Sequence, residues 1–185
     1  MPLIILDRDG VINEDSDAYI KSVSEWHPIA GSIEAIAKLS RAGYSVVIAT
    51  NQSGINRGFF SLDELNAMHN KMRELVEVAG GSIDGIYFCP HRPEEGCTCR
   101  KPATGLLDAI SEDWGNIEGV AFIGDSLKDL LLAEKKHCQP ILVQTGKGRK
   151  TQSQLENTDL NLSQLRIFAD LAAAVTSILA NNTKA

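Results

Sequence analysis

Short apolar segments alternate along this chain with segments whose apolar residues recur at helical spacing. The apolar segments have the length and composition of buried parallel strands. Because strands that alternate with helices are joined by right-handed crossovers, the sequence predicts an α/β fold with a three-layer, doubly wound parallel sheet of the Rossmann type. The predicted strands cover residues 3–6, 44–49, 83–88, 119–123 and 140–143.

The helices are predicted from apolar periodicity and from capping residues. A capping box of Ser61 and Glu64 begins the longest helix. Trp114 is predicted to face inward from the helix that Thr104 caps, and the final helix is predicted to begin at Leu165. Residues 146–148 are predicted to form only a loop. The segments between strands are too short for a large cap domain, so we expect a site shielded by loops.

Length and composition narrow the class of protein. At 185 residues, one domain covering residues 1–185 is expected, and it is long enough to bury a substantial core. A hydrophobic fraction of 43% and a charged fraction of 23% are ordinary for a globular protein. The net charge of −6 argues against a general nucleic-acid binder.

No apolar stretch is long enough to span a bilayer, and no basic leader precedes the first strand. We therefore expect a cytoplasmic protein that does not contact a membrane. In a reducing compartment, clustered cysteines indicate a metal site more often than disulfides.

Two carboxylates follow the first predicted strand, at Asp7 and Asp9, and Gly10 permits a sharp turn directly after them. Ligands of open α/β sheets bind at the carboxyl ends of strands. Neighbouring carboxylates repel each other unless a cation or a shared proton relieves them, and Mg²⁺ is a suitable cation. One carboxylate could attack an electrophile while the other transfers a proton. The alternative for this pair alone is a polar turn with both side chains solvated.

Three other strand ends carry polar residues. Thr50 follows the second strand and could donate a hydrogen bond to a phosphoryl oxygen, although threonine is common at strand ends. Arg100 and Lys101 follow the third strand after a loop and could neutralise a transferring phosphate, although adjacent cations usually lie on a solvated surface. Asp125 follows the fourth strand. Asp129, one helical turn later, either orients this site or interacts only with the helix dipole.

Three cysteines and a histidine lie close together in the loop before Arg100. They are Cys89, His91, Cys97 and Cys99. Three thiolates and one imidazole suit tetrahedral Zn²⁺ with no open position, which predicts a structural zinc that folds this loop. The alternatives are unrelated thiols beside a surface histidine, or a Cys97–Cys99 disulfide. Cys138 stands apart and is interpreted as a packed thiol, and the remaining histidines, His27, His69 and His137, are interpreted as having no partners.

These strand-end residues together resemble the four motifs of the haloacid dehalogenase superfamily, whose members mostly transfer phosphoryl groups through an aspartyl-phosphate. The first motif is Asp7-Arg8-Asp9-Gly10-Val11, and the others lie at Thr50, Lys101 and Asp125. The resemblance implies that Asp7 is the nucleophile, and that Asp9, protonated, is the general acid and base. It also implies that Thr50 and Lys101 hold the phosphoryl oxygens. Mg²⁺ would be bound by the carboxylates of Asp7 and Asp125 and by the Asp9 backbone carbonyl.

The zinc loop and residues 51–58 narrow the resemblance to the heptose bisphosphate phosphatases, which hydrolyse the 7-phosphate of heptose 1,7-bisphosphate. The histidinol-phosphate phosphatases are similar and remain an alternative, but the Gly-x-x-Arg-Gly pattern at 54–58 favours the former. The chain departs from the family at Arg92, where members often carry His, and at Ser126, where some carry Lys. The residues implied to contact the substrate are Asp15, Ala18, Asn51, Gln52, Ser53, Arg57 and Arg100.

The partner implied by this resemblance is a small sugar bisphosphate, and the protein is expected to act as a monomer. A non-catalytic sugar-phosphate sensor on the same scaffold is a second alternative, although a sensor has no need of Asp9. Processing of nucleic-acid ends also occurs in the superfamily, but the acidic composition disfavours it.

Overall fold

The computed structural model describes residues 2–158, 162 and 164–182. The strands are β1 (Leu3–Leu6), β2 (Ser45–Asn51), β3 (Gly85–Cys89), β4 (Ala121–Gly124), β5 (Gln139–Val143) and β6 (Arg166–Phe168). The helices are α1 (Ser32–Arg41), α2 (Leu62–Val78), α3 (Gly105–Trp114), α4 (Leu127–Lys135), α5 (Gly148–Glu156) and α6 (Leu171–Asn182). A short 3₁₀ turn covers Pro93–Glu95.

The strands form one parallel sheet in the order β3-β2-β1-β4-β5-β6. The chain moves outward from β1 in one direction to β2 and β3, and then returns to place β4 on the other side of β1. This confirms the predicted doubly wound topology. The reversal of strand order at β1 creates a crevice at its carboxyl end, where such sheets bind ligands.

The two faces of the sheet bury two apolar clusters, because successive strand residues point to opposite faces. Ile4 and Leu6 of β1 pack with α1, α2 and α6, whereas Ile5 packs with α3 and α4. This gives the predicted three layers. In the described part of the chain, helices of these layers and loops connect the strands, and no separate cap domain covers the strand ends.

The register of the sheet brings the predicted motifs to one edge. Leu6 lies opposite Ile48 of β2 and Ile123 of β4. Asp7 therefore emerges from β1 beside the last residues of both neighbouring strands, just before Thr50 and Asp125. Parallel pairing thus places side chains that are far apart in the sequence at the same end of the sheet.

The start of α2 agrees with the prediction in part. The Ser61 hydroxyl accepts a hydrogen bond from the Glu64 backbone N–H at 3.1 Å, as an N-cap residue does. The Glu64 carboxylate does not complete the box. It accepts instead from the Val23 N–H at 3.0 Å and so ties the loop after β1 to this helix.

The prediction for the C-terminal third missed α5 and misplaced the start of the final helix. Gly148, assigned to the loop after β5, begins α5, and residues 166–168 form β6, which pairs with β5, so the final helix begins at Leu171. The Asp170 carboxylate accepts a hydrogen bond from the Ala173 N–H at 2.8 Å and caps α6. This cap outweighs the apolar spacing that appeared to extend the helix back to Leu165.

Trp114 was also predicted incorrectly. Its side chain is 37% exposed, and its indole N–H donates to the Tyr87 hydroxyl at 3.0 Å. At the edge of the core the indole N–H of Trp114 has this polar partner while the ring still packs. Among the described residues, none of the helices combines the length and apolar composition that a membrane span requires.

Candidate active site

A cavity of about 300 Å³ lies at the carboxyl ends of the central strands. Nearly all of the residues singled out in the sequence line it, namely Asp7, Asp9, Asp15, Thr50, Asn51, Gln52, Ser53, Arg100, Lys101 and Asp125. Ser126, which follows Asp125 in the fourth motif, also lines the cavity, as do Ser16 and Asp17 beside Asp15. The lining residues that were not singled out are Tyr19, Ile20, Lys128 and Lys147. The structure therefore brings the four motifs together at one cavity.

Lys101 is the buried cation of this cavity, with 3% of its side chain exposed. Its Nζ lies 2.9 Å from Asp7 Oδ1 and 2.6 Å from Asp129 Oδ1, and it donates to the Ala49 carbonyl at 2.8 Å. Burial disfavours the charged amine, but the carboxylates of Asp129 and Asp7 outweigh burial and raise the Lys101 pKa. The side chain is therefore held as a fixed positive charge beside Asp7.

Asn51 fixes the backbone at Lys101. Its amide oxygen accepts from the Lys101 N–H at 3.0 Å, and its amide nitrogen donates to the Lys101 carbonyl at 3.3 Å. These two bonds tie the end of β2 to the third motif. The sequence predicted that Asn51 contacts substrate, whereas the contact seen here positions another residue of the site.

Asp7, Asp125 and Asp129 form a buried carboxylate cluster, and one oxygen of each lies within 4.8 Å of the others. Burial, followed by the charge of Asp129, raises the Asp7 pKa to about 7. Burial, followed by the charges of Asp7 and Asp129, raises the Asp125 pKa to about 8. A bound cation would relieve this repulsion, and carboxylate oxygens are the ligands that Mg²⁺ prefers. The residues present therefore fit magnesium.

Asp125 is held by the loop after β5, which was interpreted from the sequence as a connection only, and by α5. The Lys147 N–H donates to Asp125 Oδ2 at 2.7 Å, and the Thr151 hydroxyl donates to the Asp125 carbonyl at 2.8 Å. Gly10 has a φ of +81°, and a Cβ there would collide with the Asp125 carboxylate. Glycine is therefore required at position 10 for both its backbone angle and its close contact.

The Asp9 carboxylate accepts three different donors, each at 2.8 Å at its shortest: Arg8 Nη2, Asn13 Nδ2 and Gln52 Nε2. Burial alone would raise the Asp9 pKa, but the Arg8 charge and these donors more than offset burial and lower it. These contacts favour the ionised form of Asp9, whereas the sequence interpretation has it protonated near a bound phosphate. Arg8 and Gln52 turn towards Asp9, which the sequence did not reveal.

Gln52 also connects Asp9 with the second motif. Its amide nitrogen donates to the Thr50 hydroxyl oxygen at 2.9 Å as well as to Asp9. Thr50 is 1% exposed and keeps its own hydroxyl hydrogen free to donate. The geometry suits a hydroxyl that donates to a phosphoryl oxygen in the cavity.

The interpretation that His69 has no partner was wrong. It lies on α2, is 4% exposed, and its Nε2 is 3.3 Å from Arg8 Nη1. The sequence gave a weak signal for this contact, because a histidine stands there among residues that otherwise form the apolar face of a helix.

The Cys and His cluster forms as predicted. Cys89 Sγ lies 3.0 Å from Cys99 Sγ and 3.6 Å from Cys97 Sγ, and His91 Nδ1 lies 3.2 Å from Cys99 Sγ. The four ligand atoms all lie within 4.8 Å of one another, which fits one tetrahedral zinc. All four cysteines of the chain are free thiols, so the alternative of a Cys97–Cys99 disulfide does not apply.

The zinc cluster is connected to Arg100. The Arg100 N–H donates to Cys97 Sγ at 3.3 Å, and its guanidinium donates to the His91 carbonyl at 3.2 Å. Arg100 lines the cavity, so the fold of this loop sets the position of the Arg100 guanidinium.

Cys138 is buried and donates to the Ile117 carbonyl at 3.3 Å, in agreement with a packed thiol.

Two of the residues implied to contact substrate do not line the cavity. Ala18 lies in the loop after β1, and Arg57 places Nη2 3.9 Å from Glu94 Oε1 of the zinc loop. Asp15 lines the cavity, and its carboxylate is 3.1 Å from Lys147 Nζ. The loop after β1 and the loop after β5 therefore meet across the mouth of the cavity.

Comparisons with known proteins agree with this geometry. The family model described as polynucleotide kinase 3 phosphatase matches residues 3–167. A protein of Pseudomonas putida named D-glycero-beta-D-manno-heptose-1,7-bisphosphate 7-phosphatase is 52% identical, with 97% of this chain and 100% of that protein covered. A crystal structure of D,D-heptose 1,7-bisphosphate phosphatase from B. bronchiseptica, complexed with magnesium and phosphate, is 48% identical, with a TM-score of 0.93. That match covers 98% of this chain and 99% of the other.

Proposed function

Because this chain belongs to the polynucleotide kinase 3 phosphatase family, and within the haloacid dehalogenase superfamily to the D-glycero-β-D-manno-heptose-1,7-bisphosphate 7-phosphatases, we propose that it removes the 7-phosphate of that sugar bisphosphate. The products are heptose 1-phosphate and inorganic phosphate. The observation that carries the proposal is the meeting of Asp7, Lys101 and Asp125 at one cavity. Convergence of a nucleophile, a cation and a metal-binding carboxylate is what phosphoryl transfer requires.

Asp7 is the proposed nucleophile. Its carboxylate oxygen attacks phosphorus in line, the bond from phosphorus to the sugar oxygen breaks, and an aspartyl-phosphate forms. Lys101 and Thr50 hold the phosphoryl oxygens and offset the charge that builds up on them. Lys101 already lies 2.9 Å from Asp7, which supports this assignment.

Asp9 transfers the proton. The donors around Asp9 favour its carboxylate form, but a phosphate bound beside it adds negative charge and favours the protonated form. Asp9 then gives this proton to the departing sugar oxygen. In the second step it takes a proton from water, whose oxygen attacks phosphorus and releases phosphate while Asp7 regains its carboxylate.

Magnesium would be held by the carboxylates of Asp7 and Asp125 and by the Asp9 backbone carbonyl. When bound, it supplies positive charge that offsets the repulsion between the carboxylates and the phosphate. Asp129 is occupied by Lys101 and by Ser126, whose hydroxyl donates to it at 2.6 Å. We therefore assign Asp129 to positioning Lys101.

The rest of the cavity would hold the sugar and the second phosphate. Arg100 supplies a cation on the side of the zinc loop, and Asn51, Gln52 and Ser53 supply polar groups at the end of β2. Asp15 lies in the loop at the cavity mouth. Ala18 and Arg57, which are also implied by the resemblance, lie outside the cavity lining.

The β anomer is the proposed substrate form. Five relatives that are 48–52% identical to this chain are named for the β form of the sugar.

We also propose that the enzyme is a monomer in a reducing compartment such as the cytoplasm. Three zinc-binding thiols need such a compartment to remain reduced, and the acidic composition disfavours a nucleic-acid partner.

The test is to follow ³¹P NMR spectra of both anomers of heptose 1,7-bisphosphate with enzyme and Mg²⁺. The expected result is loss of the 7-phosphate signal, growth of inorganic phosphate and retention of the C1-phosphate signal, faster for the β anomer. Histidinol phosphate serves as the comparison substrate. Release of the C1 phosphate, or faster turnover of histidinol phosphate, would contradict the proposal.

A further inference from the structure

A buried histidine contacts the catalytic region from the helical layer. His69 stands on α2, whose buried face is otherwise apolar and consists of Leu65, Met68, Met72 and Val76. Its ring packs edge-on against Phe88, with centroids 6.3 Å apart and planes at 60°. This packing fixes the ring while Nε2 points at Arg8 Nη1, 3.3 Å away.

Arg8 connects His69 with Asp9. The Arg8 side chain is 1% exposed, and its Nε and Nη2 donate to Asp9 Oδ1 at 3.1 and 2.8 Å. Nη2 also donates to Asp9 Oδ2 at 3.1 Å. Because the guanidinium is a rigid plane, the hydrogen bond at Nη1 restrains the orientation of the two groups that hold Asp9.

His69 is suited to accept a hydrogen bond. Burial, followed by the Arg8 charge, lowers the His69 pKa to about 3, so the imidazole is neutral at physiological pH. Arginine has no acceptor, so the Nε2 lone pair of His69 must face the Arg8 N–H. The proton of the neutral ring then lies on Nδ1.

We propose that His69 is a positioning residue, which orients Arg8 and through it holds Asp9 where the proton is transferred. The inference rests on the proposed role of Asp9 as general acid and base. It assigns a function to a residue outside the four motifs, on a helix that otherwise serves only the core. The competing explanation is that His69 merely fills space between α2 and β3.

Three substitutions separate these explanations. His69→Phe keeps an aromatic ring of similar size but removes the acceptor. His69→Gln places an amide oxygen near the position of Nε2 and restores it. Met72→Leu is the matched control, because Met72 is buried on the same face of α2 and has no hydrogen bond to Arg8.

The expected result is a split between kcat and KM. His69→Phe should lower kcat about tenfold with KM unchanged, as loss of a residue one contact away from a reacting group commonly does. His69→Gln should stay within about twofold of the wild type, and so should Met72→Leu. If His69→Phe does not fold, His69→Asn takes its place, since its shorter side chain cannot reach Arg8 and should give the same loss.

An unchanged kcat in the folded His69→Phe variant would overturn the proposal. Equal losses in the Phe and Gln variants would also overturn it. The same series is measured with glycerol 3-phosphate, which carries no sugar but has an alkoxide leaving group that needs the proton from Asp9. If the wild type fails on heptose bisphosphate, the proposed substrate is wrong, while the comparison on glycerol 3-phosphate still decides the role of His69.

Discussion

Lys101 and Asp129 form a buried ion pair, with Nζ 2.6 Å from Oδ1 and side chains that are 3% and 1% exposed. Lys101 belongs to the loop after β3, and Asp129 to the first turn of α4. The pair therefore joins two strand ends that lie on opposite sides of β1. Asp129 also accepts from the Ser126 N–H at 3.1 Å, so the same carboxylate caps α4 and orients the cation beside Asp7.

Replacement of Asp129 by Asn should therefore lower both activity and stability. Lys101 keeps Asp7 and the Ala49 carbonyl as partners, so the loss of unfolding free energy should be about 1–3 kcal/mol, smaller than for a fully unpaired buried charge. We expect kcat to fall about ten- to a hundredfold, because Lys101 loses its restraint. Steady-state kinetics and urea unfolding measure the two effects.

The control for this substitution is Ser126→Ala, which removes one donor to Asp129 but leaves the ion pair intact. It should cost about 0.5–2 kcal/mol, as loss of an N-cap side chain does, and change kcat little. Equal kcat values for Asp129→Asn and the wild type would show that Lys101 needs no support from Asp129.

The low pKa of His69 should make the free energy of unfolding depend on pH in the acid range. Its pKa is about 3 in the folded protein against an ordinary value of 6.5. Between these values the unfolded chain binds the proton more readily, so unfolding free energy falls as pH falls below 6.5 and is fully regained above it. At pH 5 this loss amounts to about 2 kcal/mol relative to pH 8.

Urea unfolding of the wild type and of His69→Gln at both pH values measures this effect. Titration of the carboxylates is common to the two proteins and cancels in the difference. The wild type should lose about 2 kcal/mol more than the variant between pH 8 and pH 5. Equal losses would show that His69 does not remain neutral in the folded protein.

The cysteine cluster predicts about one Zn²⁺ per chain by elemental analysis of the reduced protein. Cys99→Ser should lose the zinc and raise KM for the bisphosphate, because Arg100 is held by the backbone of the zinc loop at His91. Cys138→Ser is the matched control, since this buried thiol lies outside the cluster and its replacement should keep the metal. Full zinc content in Cys99→Ser would reject the assignment of that ligand.

Much of the fold could be predicted because local patterns coincide with the tertiary structure. The apolar runs that form β1 and β2 are buried and end in polar residues, so both the strands and their ligand-bearing ends could be recognised. β6 could not be recognised, since it has only three residues and Ile167 is 40% exposed. Pairing with β5, rather than its own composition, makes this segment a strand.

The site likewise contains residues that local sequence patterns identify and contacts that only the tertiary structure determines. The motif residues were identified from type and order, and the parallel sheet brings them together. The Asp9 protonation state and the His69 contact depend on how buried Arg8 is oriented, and this is a tertiary relationship. The support that Lys147 gives to Asp125 likewise depends on the return of the chain after β5. No local pattern encodes these contacts.

Asp7 is the proposed nucleophile of a phosphatase built at the ends of four strands. The decisive measurement is phosphate release from heptose 1,7-bisphosphate by Asp7→Asn beside the wild type. We predict that turnover falls by at least about a thousandfold, while the circular dichroism spectrum and melting temperature are retained, because the amide removes a repulsive charge from a buried cluster. Turnover close to that of the wild type would show that Asp7 is not the nucleophile.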